Sequence, residues 1–183
     1  MSQKVLFDFT DASDNLRETW GAVDDGVMGG VSESSMRLVD NSASFSGTVS
    51  TANSGGFASV RTQNFSPALD LSQYEGIKLH IRGDGQRYKF ILRSETQWDG
   101  VGYCYSFDTE KDTWIDIQIP FNALIPVFRA KIVRDKAPLN LHQICSLQLM
   151  LSKFEYDGEL NPKFESGKFI LQVQSIQAYN NTL

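Results

Sequence analysis

The stretch Gly76–Arg93, GIKLHIRGDGQRYKFILR, decides the fold. Ile77, Leu79 and Ile81 alternate with Lys78, His80 and Arg82. Beyond the glycines, Tyr88, Phe90 and Leu92 alternate with Lys89, Ile91 and Arg93. A helix would scatter such a set around its axis, whereas a strand gathers it on one side. The stretch therefore predicts two strands, each with a buried face and a wetter face. Between them, Gly83–Gln86 reads as a hairpin turn of Asp-Gly type. A phosphate-binding loop would open a helix and aim its N–H groups at the anion, but a strand pattern follows here.

The same period runs outward in both directions. Ile115, Ile117 and Ile119 share a face in TWIDIQIP, as do Leu147, Leu149 and Leu151 in SLQLMLS and Phe169, Leu171 and Val173 in KFILQVQSIQAY. Shorter candidates are Val5–Phe9, Ser34–Asp40, Ala43–Ser50 and Gly56–Thr62. Turn-forming clusters at Asp40–Ser42, Asn53–Gly56 and Ser66–Gly76 separate these segments. LIPVFRAKIV, interrupted by Pro126, reads as irregular or extended. The expected architecture is a single all-β domain over residues 1–183, an antiparallel β-sandwich.

Composition narrows the function. A net charge of -5 and a pI near 5.0 argue against nucleic acid or an anionic membrane as the main partner. No apolar run approaches the roughly 20 residues that span a bilayer, and the first residues hold no signal-peptide core. A cytoplasmic protein is expected, with Cys104 and Cys145 as buried free thiols.

Chemistry finds few footholds. His80 and His142 are the available imidazole bases, one expected on an outer strand face and the other in a loop. Zinc would need paired Cys or His spacing. Asp24, Asp25 and Asp84 carry oxygens suited to calcium, but without an EF-hand series they read better as turn caps. No enzyme activity, cofactor or metal is expected. Trp98, in the polar loop SETQWDGVGY, is a candidate sugar platform, against the plainer reading of an aromatic folding back over a sandwich end. In WGAVDDGVMGGVSES (residues 20–34), the glycines of DDGVMGG allow close backbone approach, and either carboxylate can accept loop N–H groups. The loop is expected mainly to close the structure, with partner contact its lesser role, and Met28 suits either plugging the sandwich or contacting a partner.

Trp20–Ser32, WGAVDDGVMGGVS, followed by FSGTVSTANSGGFASVR (Phe45–Arg61), resembles the complex I intermediate-associated protein family. The resemblance continues through Asp70–Tyr88, Ile119–Arg129 and Gly167–Ala178. It implies a galactose-binding-domain-like jelly roll and a non-catalytic assembly factor. Family members in mitochondria help to build respiratory complex I; in photosynthetic organisms a related domain serves photosystem assembly or RNA-level functions. The absence of an Arg-rich leader points to a stand-alone bacterial or cyanobacterial type. Ala130 stands where the family usually has glycine. The expected partner is a protein client from a membrane-linked redox complex, respiratory, NDH-type or photosynthetic. The alternative is a carbohydrate-binding module taking a glycan. Candidate partner- or ligand-binding residues are Asp24, Asp25, Val27, Met28, Trp98 and the motif arginines Arg61 and Arg129.

Overall fold

The computed structural model describes residues 2–11 and 19–181. Among the described residues, thirteen strands, numbered in chain order, form two sheets. The first holds β1 (Ser2–Asp8), β3 (Glu33–Val39), β4 (Ser42–Val49), β6 (Gly76–Arg82), β9 (Trp114–Pro120) and β13 (Gly167–Asn180). Its order is β3-β4-β13-β6-β9, with β1 also paired to β13. The second holds β2 (Trp20–Ala22), β5 (Phe57–Thr62), β7 (Arg87–Arg93), β8 (Gly102–Asp108), β10 (Ile125–Phe128), β11 (Lys131–Ile132) and β12 (Ser146–Ser152). Its order is β11-β10-β8-β7-β12-β5-β2. All strand pairings are antiparallel.

The alternating sets meet between the sheets. Phe45, Ile77, Leu79, Ile81, Leu171 and Val173 come from one side, and Val60, Tyr88, Phe90, Leu92, Leu147 and Leu149 from the other, all fully buried. Trp20 closes one edge of this core, edge-on to Phe7 with ring centroids 5.3 Å apart. On the outer face of the first sheet the predicted wet side is present: His80 is half-buried, stacked on Trp114 and hydrogen-bonded to Asp116. Cys104 and Cys145 are free and buried. Burial pushes the Cys104 thiol up to about 11.

Two expectations need correction. The Gly83–Gln86 turn is not a hairpin, because β6 and β7 belong to opposite sheets. Alternation fixes which face of a strand is buried, but it is identical for strands side by side and strands facing each other across a core. The connection is anchored by Asp84, whose carboxylate accepts the Tyr88 hydroxyl at 3.0 Å and the Ile170 N–H at 3.1 Å. Gly85 takes a φ of +91, a region glycine occupies without steric cost.

The second correction concerns the outer face of the second sheet, which is not wet. Ser59, Arg61, Lys89, Ile91 and Gln148 are all buried there. Loops fold back over them: Lys89 Nζ donates to the carbonyls of Phe154 and Glu155, and Ile91 packs in a second apolar cluster with Cys104, Val127 and Tyr156. Of the two readings open for LIPVFRAKIV, irregular or extended, the segment takes the extended one and forms the β10–β11 pair. Arg129 and Ala130 turn it with φ of 49 and 64. The usual family glycine would fit that left-handed conformation more easily than Ala130 does.

Candidate functional site

The loop between β2 and β3 is organised by its adjacent carboxylates. Asp25 is fully buried. Its Oδ1 accepts the Ser32 N–H at 2.9 Å; its Oδ2 accepts the Ser32 hydroxyl at 2.6 Å and the N–H groups of Gly56 at 2.7 Å and Phe57 at 3.3 Å. Asp24 accepts the Ser34 N–H at 2.9 Å, the Ser34 hydroxyl at 2.6 Å and the Ser59 N–H at 3.0 Å. Ser34 lies on β3 and Ser59 on β5, so the pair ties the two sheets together along one edge. Burial alone would raise the Asp25 pKa, but the donors from Ser32, Gly56 and Phe57 outweigh it and hold the carboxyl below its ordinary 3.8.

The surrounding glycines are a spatial requirement. A Cβ at Gly30 would fall 2.4 Å from Asp25 Cγ, and one at Gly55 would fall 2.5 Å from its Oδ2. The DDGVMGG and NSGG motifs, far apart in sequence, thus build one clamp. The clamp does not bury its apolar residues. Met28 is 66% exposed and Val31 57% exposed, so Met28 does not plug the sandwich. The side chain of Val27 lies outside the described residues.

A second cluster lies on the covered outer face of the seven-stranded sheet. Arg61, on β5, donates from Nη1 to the Trp98 carbonyl at 2.8 Å. Its guanidinium stacks 3.8 Å from the centroid of the Trp98 ring, which is itself 55% exposed. The next residue, Asp99, pairs with Arg129 Nη2 at 2.7 Å. Arg61, Trp98 and Arg129 are therefore brought to one place. Burial first, and the charge of Arg93 second, lower the Arg61 pKa to about 10.

The two clusters are connected. Ser59 donates its N–H to Asp24 and its hydroxyl to the Val23 carbonyl. It accepts from Gln148 Nε2 at 2.9 Å, and Gln148 Oε1 in turn accepts from Arg93. The sequence reading missed Ser32, Ser34, Ser59, Arg93 and Gln148. For Ser34, Ser59, Arg93 and Gln148 the signal was present as polar residues at alternate strand positions, which a solvated face explains equally well; Ser32 lies in the loop just before β3. The histidines join neither cluster: His80 pairs with Asp116, and His142 Nδ1 lies 3.7 Å from Asp70.

This architecture, two antiparallel sheets of the galactose-binding-like jelly-roll type with polar clusters at one edge and on one outer face, defines the protein as a jelly-roll sandwich. The chain matches the family model Complex I intermediate-associated protein 30 (CIA30) over residues 7–173 and belongs to that family. Solved structures of similar fold include a family 11 carbohydrate-binding module from Clostridium thermocellum in complex with a beta-1,3-1,4-mixed-linked tetrasaccharide. That structure is 23% identical with a TM-score of 0.69, over 97% of this chain and 95% of the other. The family 11 module of the C. thermocellum cellulosomal cellulase Lic26A-Cel5E is 21% identical with a TM-score of 0.71, over 98% and 95%. The agarase AgWH50C has a TM-score of 0.64 at 9% identity, over all of this chain and 25% of the other. No curated protein matches by sequence. Among the described residues, no helix is long and apolar enough to cross a membrane.

Proposed function

We propose that this protein is a non-catalytic assembly factor. It acts in the cytoplasm as a chaperone-like binder of subunits or intermediates of a membrane-linked redox complex, of the respiratory complex I, NDH or photosynthetic kind. Membership of the Complex I intermediate-associated protein 30 family supports this class of client. The observation that carries the reading is the display of Met28 and Val31, two exposed apolar side chains, on a loop whose backbone is fixed by the buried carboxylate of Asp25. A contact surface ordered before binding avoids the entropy cost of ordering it on binding. Met adapts to irregular partner surfaces.

Capture from native lysate on the immobilised protein, followed by mass spectrometry, tests this. Wild type should enrich subunits of an NADH- or ferredoxin-linked membrane complex, and Met28→Ala should lose them. The same substitution should change stability by less than about 0.5 kcal/mol, the usual range at exposed sites. Failure of the wild type to enrich any such subunit sinks the proposal.

Carbohydrate binding is the second reading, favoured by the half-exposed indole of Trp98 in a fold similar to that of modules solved with oligosaccharide. It expects glycan-array binding at sub-millimolar affinity that Trp98→Ala removes. A blank array with wild-type protein disposes of it.

A further inference from the structure

Two cations on the outer face of the second sheet, Arg61 buried and Arg93 half-buried, lack some of the partners that withdrawal from water normally requires. Arg61 is 4% exposed, and its Nε and Nη2 have no hydrogen-bond partner among the described residues. Arg93, which stands across from Ser146 in the β7–β12 ladder, has the same deficit at Nε, and the Ser146 hydroxyl is also unpartnered. Neither arginine is within ion-pair distance of a carboxylate among the described residues. Of the nearby acids, Asp99 pairs with Arg129, and Glu155 accepts from Ser106 through Oε2 while its buried Oε1 has no partner among the described residues. Lys89, the third cation of this face, is satisfied by two carbonyls at 2.7 Å. Like charges withdrawn from water without an ion-paired counter-charge are costly, and such breaches of local consistency concentrate at functional sites.

The unused atoms identify the missing partner. Nη1 of Arg61 is taken by the Trp98 carbonyl, which leaves Nε and Nη2. Those two N–H groups form the side edge of the guanidinium and point in parallel, the arrangement that receives both oxygens of a carboxylate. We propose that Arg61 and Arg93 form a binding site for the carboxylate of an acidic side chain on a polypeptide, with Trp98 as its movable cover. The indole that covers the guanidinium face is more than half exposed, so it can move outward to make room for the carboxylate.

A peptide fits this face better than an acidic sugar. Ile125 and Met150 pack beside the buried Ile91, Cys104 and Val127, giving apolar contacts next to the arginines. The exposed aromatics that a sugar ring would use are each faced by a cation: Trp98 by Arg61, Phe128 by Arg129 at 5.1 Å and Phe154 by Lys153 at 4.8 Å. The choice of a peptide rests on the assembly-factor reading; the carboxylate site itself does not.

The test uses an acetylated pentapeptide of alternating leucine and glutamate, its glutamine counterpart and a galacturonate oligomer. Binding is followed by calorimetry and by tryptophan fluorescence. The glutamate peptide should bind wild type about tenfold or more tightly than the glutamine peptide, a contrast that needs no mutation. Binding should weaken at least about tenfold in Arg61→Lys, which keeps the charge and loses the fork, and in Arg93→Gln. The fluorescence change should vanish in Trp98→Phe. Equal affinity for the two peptides, or no binding to either up to about 1 mM, overturns the site. Galacturonate binding without peptide binding overturns the polypeptide occupant in favour of an acidic polysaccharide. If the peptide result fails while redox-complex subunits are still captured, the inference falls and the assembly role stands. Peptide binding without such capture leaves the site and removes the client.

Discussion

Asp25→Ala is expected to cost about 3–5 kcal/mol, a large share of the roughly 5–15 kcal/mol that stabilises a typical domain. The carboxylate is fully buried and accepts four hydrogen bonds. Removing it strands the N–H groups of Ser32, Gly56 and Phe57 in a space that the flanking chain segments have already closed. Asp25→Asn keeps the shape and one acceptor oxygen, so it should cost less. Asp25→Glu should be no rescue, because the space beside Gly30 and Gly55 is too tight even for one added carbon next to Asp25. The native carboxyl is held below its ordinary 3.8, so it binds its proton less readily when folded than when unfolded. Its stabilisation is therefore complete at neutral pH and begins to be lost as pH falls past the ordinary carboxylate value toward the depressed one. Urea unfolding at pH 7 and near pH 3.5 checks both parts. The gap between wild type and Asp25→Asn should narrow in acid, and a gap that widens would contradict the depressed pKa.

The second large effect is expected in the core. Phe90 is fully buried and lies between Leu149 and Tyr105 in the second sheet. Phe90→Ala should cost about 3–5 kcal/mol through lost transfer energy and the cavity left behind. One residue along the strand, Ile91 points to the opposite face, where a solvated side chain would be nearly indifferent to truncation. Ile91 is instead only 4% exposed beneath the loops. Ile91→Ala should therefore cost about 2 kcal/mol or more. Equal neutrality of both variants in denaturant titrations would show that neither face is packed as described.

That pair of residues marks the limit of what could be read from the sequence. Period-two alternation located β6, β7, β9, β12 and β13 and the inward sets of each, because pleating converts sequence parity directly into sidedness. It could not say that β6 and β7 sit in different sheets, since both arrangements bury the same residues. Nor could it see that the loops carrying Trp98 and Phe154–Tyr156 cover the face bearing Arg61, Lys89 and Ile91, a contact between segments distant in sequence. The glycine-rich loop was legible as a site where backbone must pass close to something. That something proved to be Asp25 itself, held through Gly56 and Phe57 by a segment far along the chain. Met28 was legible only as a choice between two roles, and its exposure rules out the plug.

The placement of β13 bears on how the molecule can be made. This strand pairs with β1 and β4 on one side and β6 on the other, so it is the spine of the first sheet, and it is the last of the thirteen to be synthesised. A ribosome delivering the chain from its N-terminus releases β1, β4 and β6 well before the strand that joins them. Until residue 180 has cleared the exit tunnel, those three present unpaired edges, the form of nascent chain most prone to mispairing and most attractive to holdases. The chain thus passes through an unpaired intermediate during translation, and a premature stop anywhere before β13 should yield insoluble product rather than a partly folded fragment.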